Sequence, residues 1–250
     1  MDKEPVPDSS APDRVEAAGG SFTDAVQRMF DGIAPRYDTF NCWASLGLDA
    51  GWRRAAIREL RLPAGSAVLD IATGTGDLAL ASATAGHRAV GVDFAREMIN
   101  AARVKRSRTD HRVPFHVASA EALPYADASF DGALSAFAMR NVRPILRCVL
   151  TEAYRVLKPG GRLVILEFCD PPLAPVRWGH RLYTRAIVPG IGRWLTGTSV
   201  PFDYLNRSID AWESPESFAA ILTETGFTEV TYRRLSLGTV ALHWGTKPRG

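Results

Sequence analysis

From Pro63 onward the chain alternates short apolar runs with amphipathic segments, and few folds accommodate that pattern. AVLDIA, AVGVD, PFHVA, DGALSAF and RLVILEF read as strands, while Asp77 to Ala85, Arg96 to Lys105 and Arg143 to Leu157 read as the helices between them. The last helix is the clearest, with Val142, Ile145, Leu146, Val149, Ala153, Val156 and Leu157 on one face and the Lys158-Pro-Gly-Gly turn as its stop. Repeated strand and helix alternation implies an α/β fold built on a doubly wound, mostly parallel sheet. Two final segments, FTEVTYRRL and GTVALHWGTK, are separated by Ser236 and Leu237, too few residues for a helical crossover. They should pair antiparallel and complete a seven-stranded sheet.

The rest of the chain frames this sheet. Residues 1–20 are rich in Pro, Ser, Asp, Glu and Gly and read as a disordered tail, leaving one domain over 21–250. Residues 22–60 have helical spacing and read as an N-terminal helical cap, and 170–225 as a helical lid inserted before the final hairpin. A net charge of +3 is too small for a nucleic-acid footprint unless concentrated on one face. Cys42, Cys148 and Cys169 are scattered and suggest neither a disulfide framework nor a zinc site, and no spaced His and carboxylate cluster points to a metal. No apolar run reaches the length of a membrane span, and the opening residues lack a signal peptide's apolar core, so a cytoplasmic protein is expected.

The first strand runs into VLDIATGTGDLAL, where Gly74, Gly76 and Ala79 fit the G-x-G-x-x-[GA] fingerprint of a dinucleotide loop. Asp93, at the end of the second strand, suits the two hydroxyls of an adenosine ribose. Asp70 and Asp77, however, bracket the glycines, an unfavourable place for a pyrophosphate. S-adenosylmethionine carries an ammonium and a sulfonium there and fits those signs; a nicotinamide-dependent oxidoreductase is the rival. Ser119 and Ala120 follow the third strand, where a loop can hold an adenine edge, unless Ser119 simply caps a short helix. Just past the fourth strand, Arg140 can stabilise a developing oxyanion and Asn141 can hold a second oxygen, while Tyr37 can reach over from the cap. The bland alternatives are a surface ion pair, a helix cap and simple packing. No base is secure: Asp49 and His243 are the candidates.

Three stretches, YDTFNCWASLGLDAGW (37–52), AMRNV (138–142) and RVLKPGGRLVILEFC (155–169), resemble the C-methyltransferases of menaquinone and ubiquinone biosynthesis. The resemblance runs from about Phe30 to Lys247. It implies a class I, Rossmann-like methyltransferase fold with S-adenosylmethionine near Thr75, Asp93 and Ser119-Ala120, and it places Tyr37, Arg140 and Asn141 at the reacting ring of a polyprenyl quinol. Demethylmenaquinol is the expected acceptor, a methoxy-polyprenyl-benzoquinol the alternative. Four positions depart from the family's usual residues: Asp49 stands in place of His, Ala136 and Cys169 in place of Ser, and Ala138 in place of Gly. These leave a non-catalytic quinone-binding protein as a remoter reading. Arg177, Arg181 and Arg185 recur at four-residue spacing beside Trp178, Leu182, Tyr183 and Ile187, a basic amphipathic pattern expected to meet an anionic membrane surface, or else a solvated face. Oligomeric state is left open.

Overall fold

The seven expected strands are all present in the computed structural model, which describes residues 22–196 and 200–249; the expected tail lies outside them. They are β1 (Ala67–Ile71), β2 (Arg88–Asp93), β3 (Phe115–Val117), β4 (Phe130–Ala136), β5 (Leu157–Phe168), β6 (Thr228–Leu235) and β7 (Val240–Thr246). One sheet contains them in the order β3-β2-β1-β4-β5-β7-β6. The first five run parallel, and β7 runs antiparallel to both β5 and β6. The final hairpin therefore turns its second strand inward, so that only β7 opposes the rest. Burial explains the choice: VALHWGT is almost wholly buried, whereas TEVTYRRL alternates and is suited to an edge.

Alternation along the inner strands divides the core into two layers. Leu69, Ile71, Ala133, Leu163 and Ile165 face α6 (Leu146–Val156) and α10 (Pro215–Glu224) through Val149, Leu150, Ala153, Phe218 and Leu222. Val68, Leu134, Val164, Leu166, Val240 and Leu242 face α3 (Asp49–Glu59) and α4 (Asp77–Thr84), meeting Trp52, Ala55, Ala56 and Leu78. Hence α3 is a structural layer of the sheet. The cap proper consists of α1 (Phe22–Ile33), a 3-10 turn over Ala34–Arg36 and α2 (Tyr37–Ala44). The remaining inter-strand helix, α5 (Arg96–Arg106), matches its expected span.

Two boundaries differ from the sequence reading. The segment before α6 is a 3-10 stretch, Met139–Ile145, containing Pro144, whose ring disfavours helical geometry in the residue before it. Beyond α6, β5 already begins at Leu157, which pairs with Phe130; the next pair is Gly132 with Arg162, so Lys158-Pro-Gly-Gly forms an irregularity within the strand rather than a separate turn.

The insertion contains α7 (Ala174–Leu182), a π turn over Tyr183–Ile187, α8 (Val188–Thr196) and α9 (Val200–Asp210). Pro189 accounts for the π turn, since it has no N–H to donate and its ring clashes with the preceding turn. Tyr204 of α9 packs on Val26 and Met29, and Val188 packs on Phe40. Lid and cap thus form a roof above the carboxyl ends of the strands. No described helix is long and apolar enough to cross a membrane.

Candidate active site

Four adjoining hollows lie under that roof, where a doubly wound sheet gathers its ligands. The first, of about 640 Å³, is lined by Asp93, Phe94, Ser119, Ala120 and Asn141. The second lies between Tyr37, Gly74, Asp93, Phe137 and Asn141. A third is bounded by Asp70, Thr73, Gly74, Thr75, Asp77 and Arg53. The fourth, of about 730 Å³ including the space that opens to solvent, is largely apolar, with Phe30, Phe40, Trp52, Phe137 and Phe168 in its walls and Tyr37, Arg140, Asn141 and Asp49 among its polar groups. Tyr37 and Asn141 border this last hollow and the second one, and so stand at the junction.

The glycine loop has the geometry its fingerprint implies. Gly76, immediately before α4, has φ +84°, and a Cβ there would lie 2.6 Å from the Phe115 ring, so only glycine fits. Gly74, at φ +55°, donates its N–H to Asp93 Oδ2 at 2.8 Å. The other Asp93 oxygen accepts from Ala95 N at 2.9 Å. Thr73 Oγ1 donates to Asp70 at 2.5 Å. Thr75 donates to Asp38, and Lys105 ties Asp38 at 2.6 Å to Asp77.

Asp70 and Asp93 are buried without an ion pair among the described residues, and desolvation raises Asp70 to about 7 and Asp93 to about 6. Two uncompensated carboxylates beside one loop are suited to a ligand that carries positive charge. Both folded values exceed the ordinary 3.8, so folding favours the protonated forms. Their stabilising contribution is complete below about pH 4 and is lost as pH rises through about 6 and about 7. Thermal melts of the ligand-free protein should therefore show a falling melting temperature over that interval, with a shallower fall in Asp70→Asn. Equal slopes in parent and variant would show that Asp70 does not contribute.

Arg140 and Asn141 sit in the 3-10 stretch after β4, and both are buried. Arg140 does not meet a surface acid. Its Nη1 donates to Glu167 Oε1 at 3.0 Å, its backbone N–H approaches Glu167 Oε2 at 3.3 Å, and its guanidinium lies 5.3 Å from the Phe168 ring centre. Asn141 is not a helix cap either; its Nδ2 approaches Phe137 O at 3.4 Å and its Oδ1 is buried without a partner among the described residues. Tyr37 opens α2 and packs edge-on against Phe30, with desolvation raising its hydroxyl pKa. Ser119 and Ala120 line the first hollow, and Ser119 belongs to a turn, its hydroxyl 3.4 Å from Glu121 N.

The two candidate bases separate. His243 lies inside β7, with Nε2 against Pro215 O at 3.0 Å and burial lowering its pKa to about 4, away from all four hollows. Asp49 lines the large hollow. Sequence reasoning missed Arg53, whose guanidinium lies 2.5 Å from Asp49 and 3.3 Å from Asp77, and Glu167, wholly buried behind Arg140. Among the described residues no cluster of His, Cys, Asp and Glu could hold a metal.

Residues 19–247 match the model of the ubiE/COQ5 methyltransferase family. The chain belongs to that family. Its relatives include a demethylmenaquinone methyltransferase of Clavibacter sepedonicus, 42% identical over 90% of this chain and 91% of that one. Another, from Thermus thermophilus and of the same name, is 41% identical over 88% of this chain and all of its own length. A ubiquinone/menaquinone biosynthesis C-methyltransferase of Geobacter is 40% identical over 90% and 97%. Among solved structures, the [4+2]-cyclase SpnF superposes with a TM-score of 0.67 at 19% identity, covering 90% of this chain and 96% of that one. A SAM-dependent methyltransferase of Thermotoga maritima gives 0.61 at 22%, covering 88% and 99%. These two show the fold, which is that of class I methyltransferases. The chain is thus a methyltransferase that uses S-adenosylmethionine, and the nicotinamide reading falls. The ubiE/COQ5 departures at Ala136 and Ala138 line the second hollow. Cys169 is buried, with its thiol donating to Gly238 O at 3.1 Å and pushed up to about 12 by desolvation, so it serves packing.

Proposed function

We propose that this enzyme methylates a ring carbon of demethylmenaquinol, using S-adenosylmethionine, in menaquinone biosynthesis. The observation that carries the reading is the apolar fourth hollow, whose polar groups meet the cofactor hollows at Tyr37 and Asn141. When bound, S-adenosylmethionine supplies an electrophilic methyl on a sulfonium. The residues present fit it: Asp93 for the ribose hydroxyls, Ser119-Ala120 for the adenine edge, Asp70 for the ammonium, and Arg53, the only described cation lining the third hollow, for the carboxylate. Arg140 stabilises the oxyanion as the quinol ionises, held in place by Glu167. Asn141 offers its unpartnered Oδ1 and Tyr37 its hydroxyl to orient the second ring oxygen. A deletion strain should accumulate demethylmenaquinone by mass spectrometry. Accumulation of a methoxy-polyprenyl-benzoquinol instead would move the activity to ubiquinone synthesis.

We also place the enzyme at the cytoplasmic face of an anionic membrane, where a polyprenyl tail can enter from lipid. The arginine stripe is less available than its spacing implies: Arg181 pairs with Asp170 and Arg185 with Asp210, each at 2.8 Å, and Arg177 donates to the carbonyls of Pro171 and Pro172. The exposed apolar side chains give better support. Trp43 and Trp194, 56% and 75% exposed, pack edge to face, with Leu46 and Leu48 near the hollow's Ala44 and Ser45. Replacing both tryptophans by Ser should weaken vesicle binding by roughly 10- to 100-fold, from partial burial at about 25 cal/mol per Å². Arg177, Arg181 and Arg185 changed together to Gln should weaken it less. The opposite ranking in a sedimentation assay would return the contact to the arginines.

A further inference from the structure

Ionising a phenolic hydroxyl needs a base within a hydrogen bond of it, or one water away. Of the described polar residues lining the large hollow, the guanidinium groups of Arg53 and Arg140 do not give up a proton, and the amides of Asn41 and Asn141 do not titrate. Desolvation keeps Tyr37 protonated, and the Tyr204 phenol and the Ser45 hydroxyl are poor bases. Asp49 is the only carboxylate among them. It opens α3, where Oδ2 accepts from Arg53 at 2.5 Å and Oδ1 from Ser45 Oγ at 3.1 Å. A carboxylate has about four lone-pair sites, so these two bonds leave room for a third.

We propose that Asp49 is the base that takes the acceptor hydroxyl's proton. The inference rests on the quinol reading above and deepens it. The quinol O–H bond breaks, its proton passes to the Asp49 carboxylate and its electron pair flows into the ring. The ring carbon then bonds to the methyl while the sulfur keeps the electrons of the breaking S–C bond. Loss of that carbon's own proton to water restores the aromatic ring as Asp49 returns its proton to the oxygen. The net release is one proton to solvent. Arg53 and Ser45 touch the carboxylate, Asp77 faces it across Arg53, and Tyr37, Asn41, Arg140 and Tyr204 share its hollow.

The test is the pH dependence of kcat from about pH 5 to about pH 9, with cofactor and demethylmenaquinol saturating, because kcat reports groups in the bound complex. Asp49→Asn should lower turnover by about 100- to 10,000-fold at every pH in that range. Asp49→His should restore most of the rate with an acid limb near ~6.5, the ordinary imidazole value. Both variants should remain folded, with some loss of melting temperature because Arg53 loses its charged partner, while calorimetric affinity for S-adenosylmethionine should stay parental. Asp49→Asn at the parental rate overturns the proposal. So does loss of cofactor affinity, which would place Asp49 behind Arg53 in the cofactor site. A parent inactive on any quinol would overturn the proposed function itself, an outcome distinct from an active parent with an unaffected variant.

Discussion

Arg140→Ala is expected to lower turnover by about 100- to 1,000-fold, the usual loss when one oxyanion donor is removed. The same change leaves the Glu167 carboxylate, wholly buried at the end of β5, without its cation. Breaking a buried pair on one side costs about 3 to 5 kcal/mol, so denaturant midpoints should fall as well. The two effects can be separated. Arg140→Met combined with Glu167→Gln removes both charges together and should recover much of the stability while turnover stays low. Arg140→Lys keeps a charge for Glu167 but loses the guanidinium's fixed fork, and should lie between parent and Ala in rate. If the double variant regains activity together with stability, Arg140 acts only through the fold.

Asp93→Asn should weaken S-adenosylmethionine binding by roughly 30- to 150-fold, about 2 to 3 kcal/mol, because the ribose hydroxyls lose a charged acceptor. The variant should show an opposite effect in the ligand-free protein. Burial raises the parent carboxyl to about 6, so a neutral side chain removes a desolvation cost that grows with pH. Calorimetry and thermal melting should thus move in opposite directions above about pH 6. If both decline together, Asp93 mainly organises the loop through Gly74 and Ala95.

What could be read from the sequence was whatever depended on local pattern. AVLDIA and RLVILEF are apolar enough to be strands in almost any context, and the glycine loop needs the positive φ values found at Gly74 and Gly76. Pattern failed where distant segments meet. Glu167 looks like the polar end of a strand until the β4–β5 register, with Ala136 beside Leu166, brings the segment after β4 alongside it. Arg53 sits on a helix whose charges resemble a solvated face, and only the packing of α3 on the sheet points it at the cofactor loop. The arginine stripe was visible as spacing, but Asp170 and Asp210 lie on other turns of the insertion and their pairing was not. The inward turn of β7 was written in its almost unbroken burial, a signal that strand alternation alone does not capture.

Labelled methyl transfer from S-adenosylmethionine to demethylmenaquinol by the purified enzyme, with the product's methyl position determined by nuclear magnetic resonance, tests the central claim most directly. The account predicts label on the ring carbon next to the hydroxyl-bearing carbon, with Arg140→Ala retaining cofactor affinity but forming product about 100- to 1,000-fold more slowly. Label on a ring oxygen, or no transfer by a parent enzyme that binds both ligands, would contradict it.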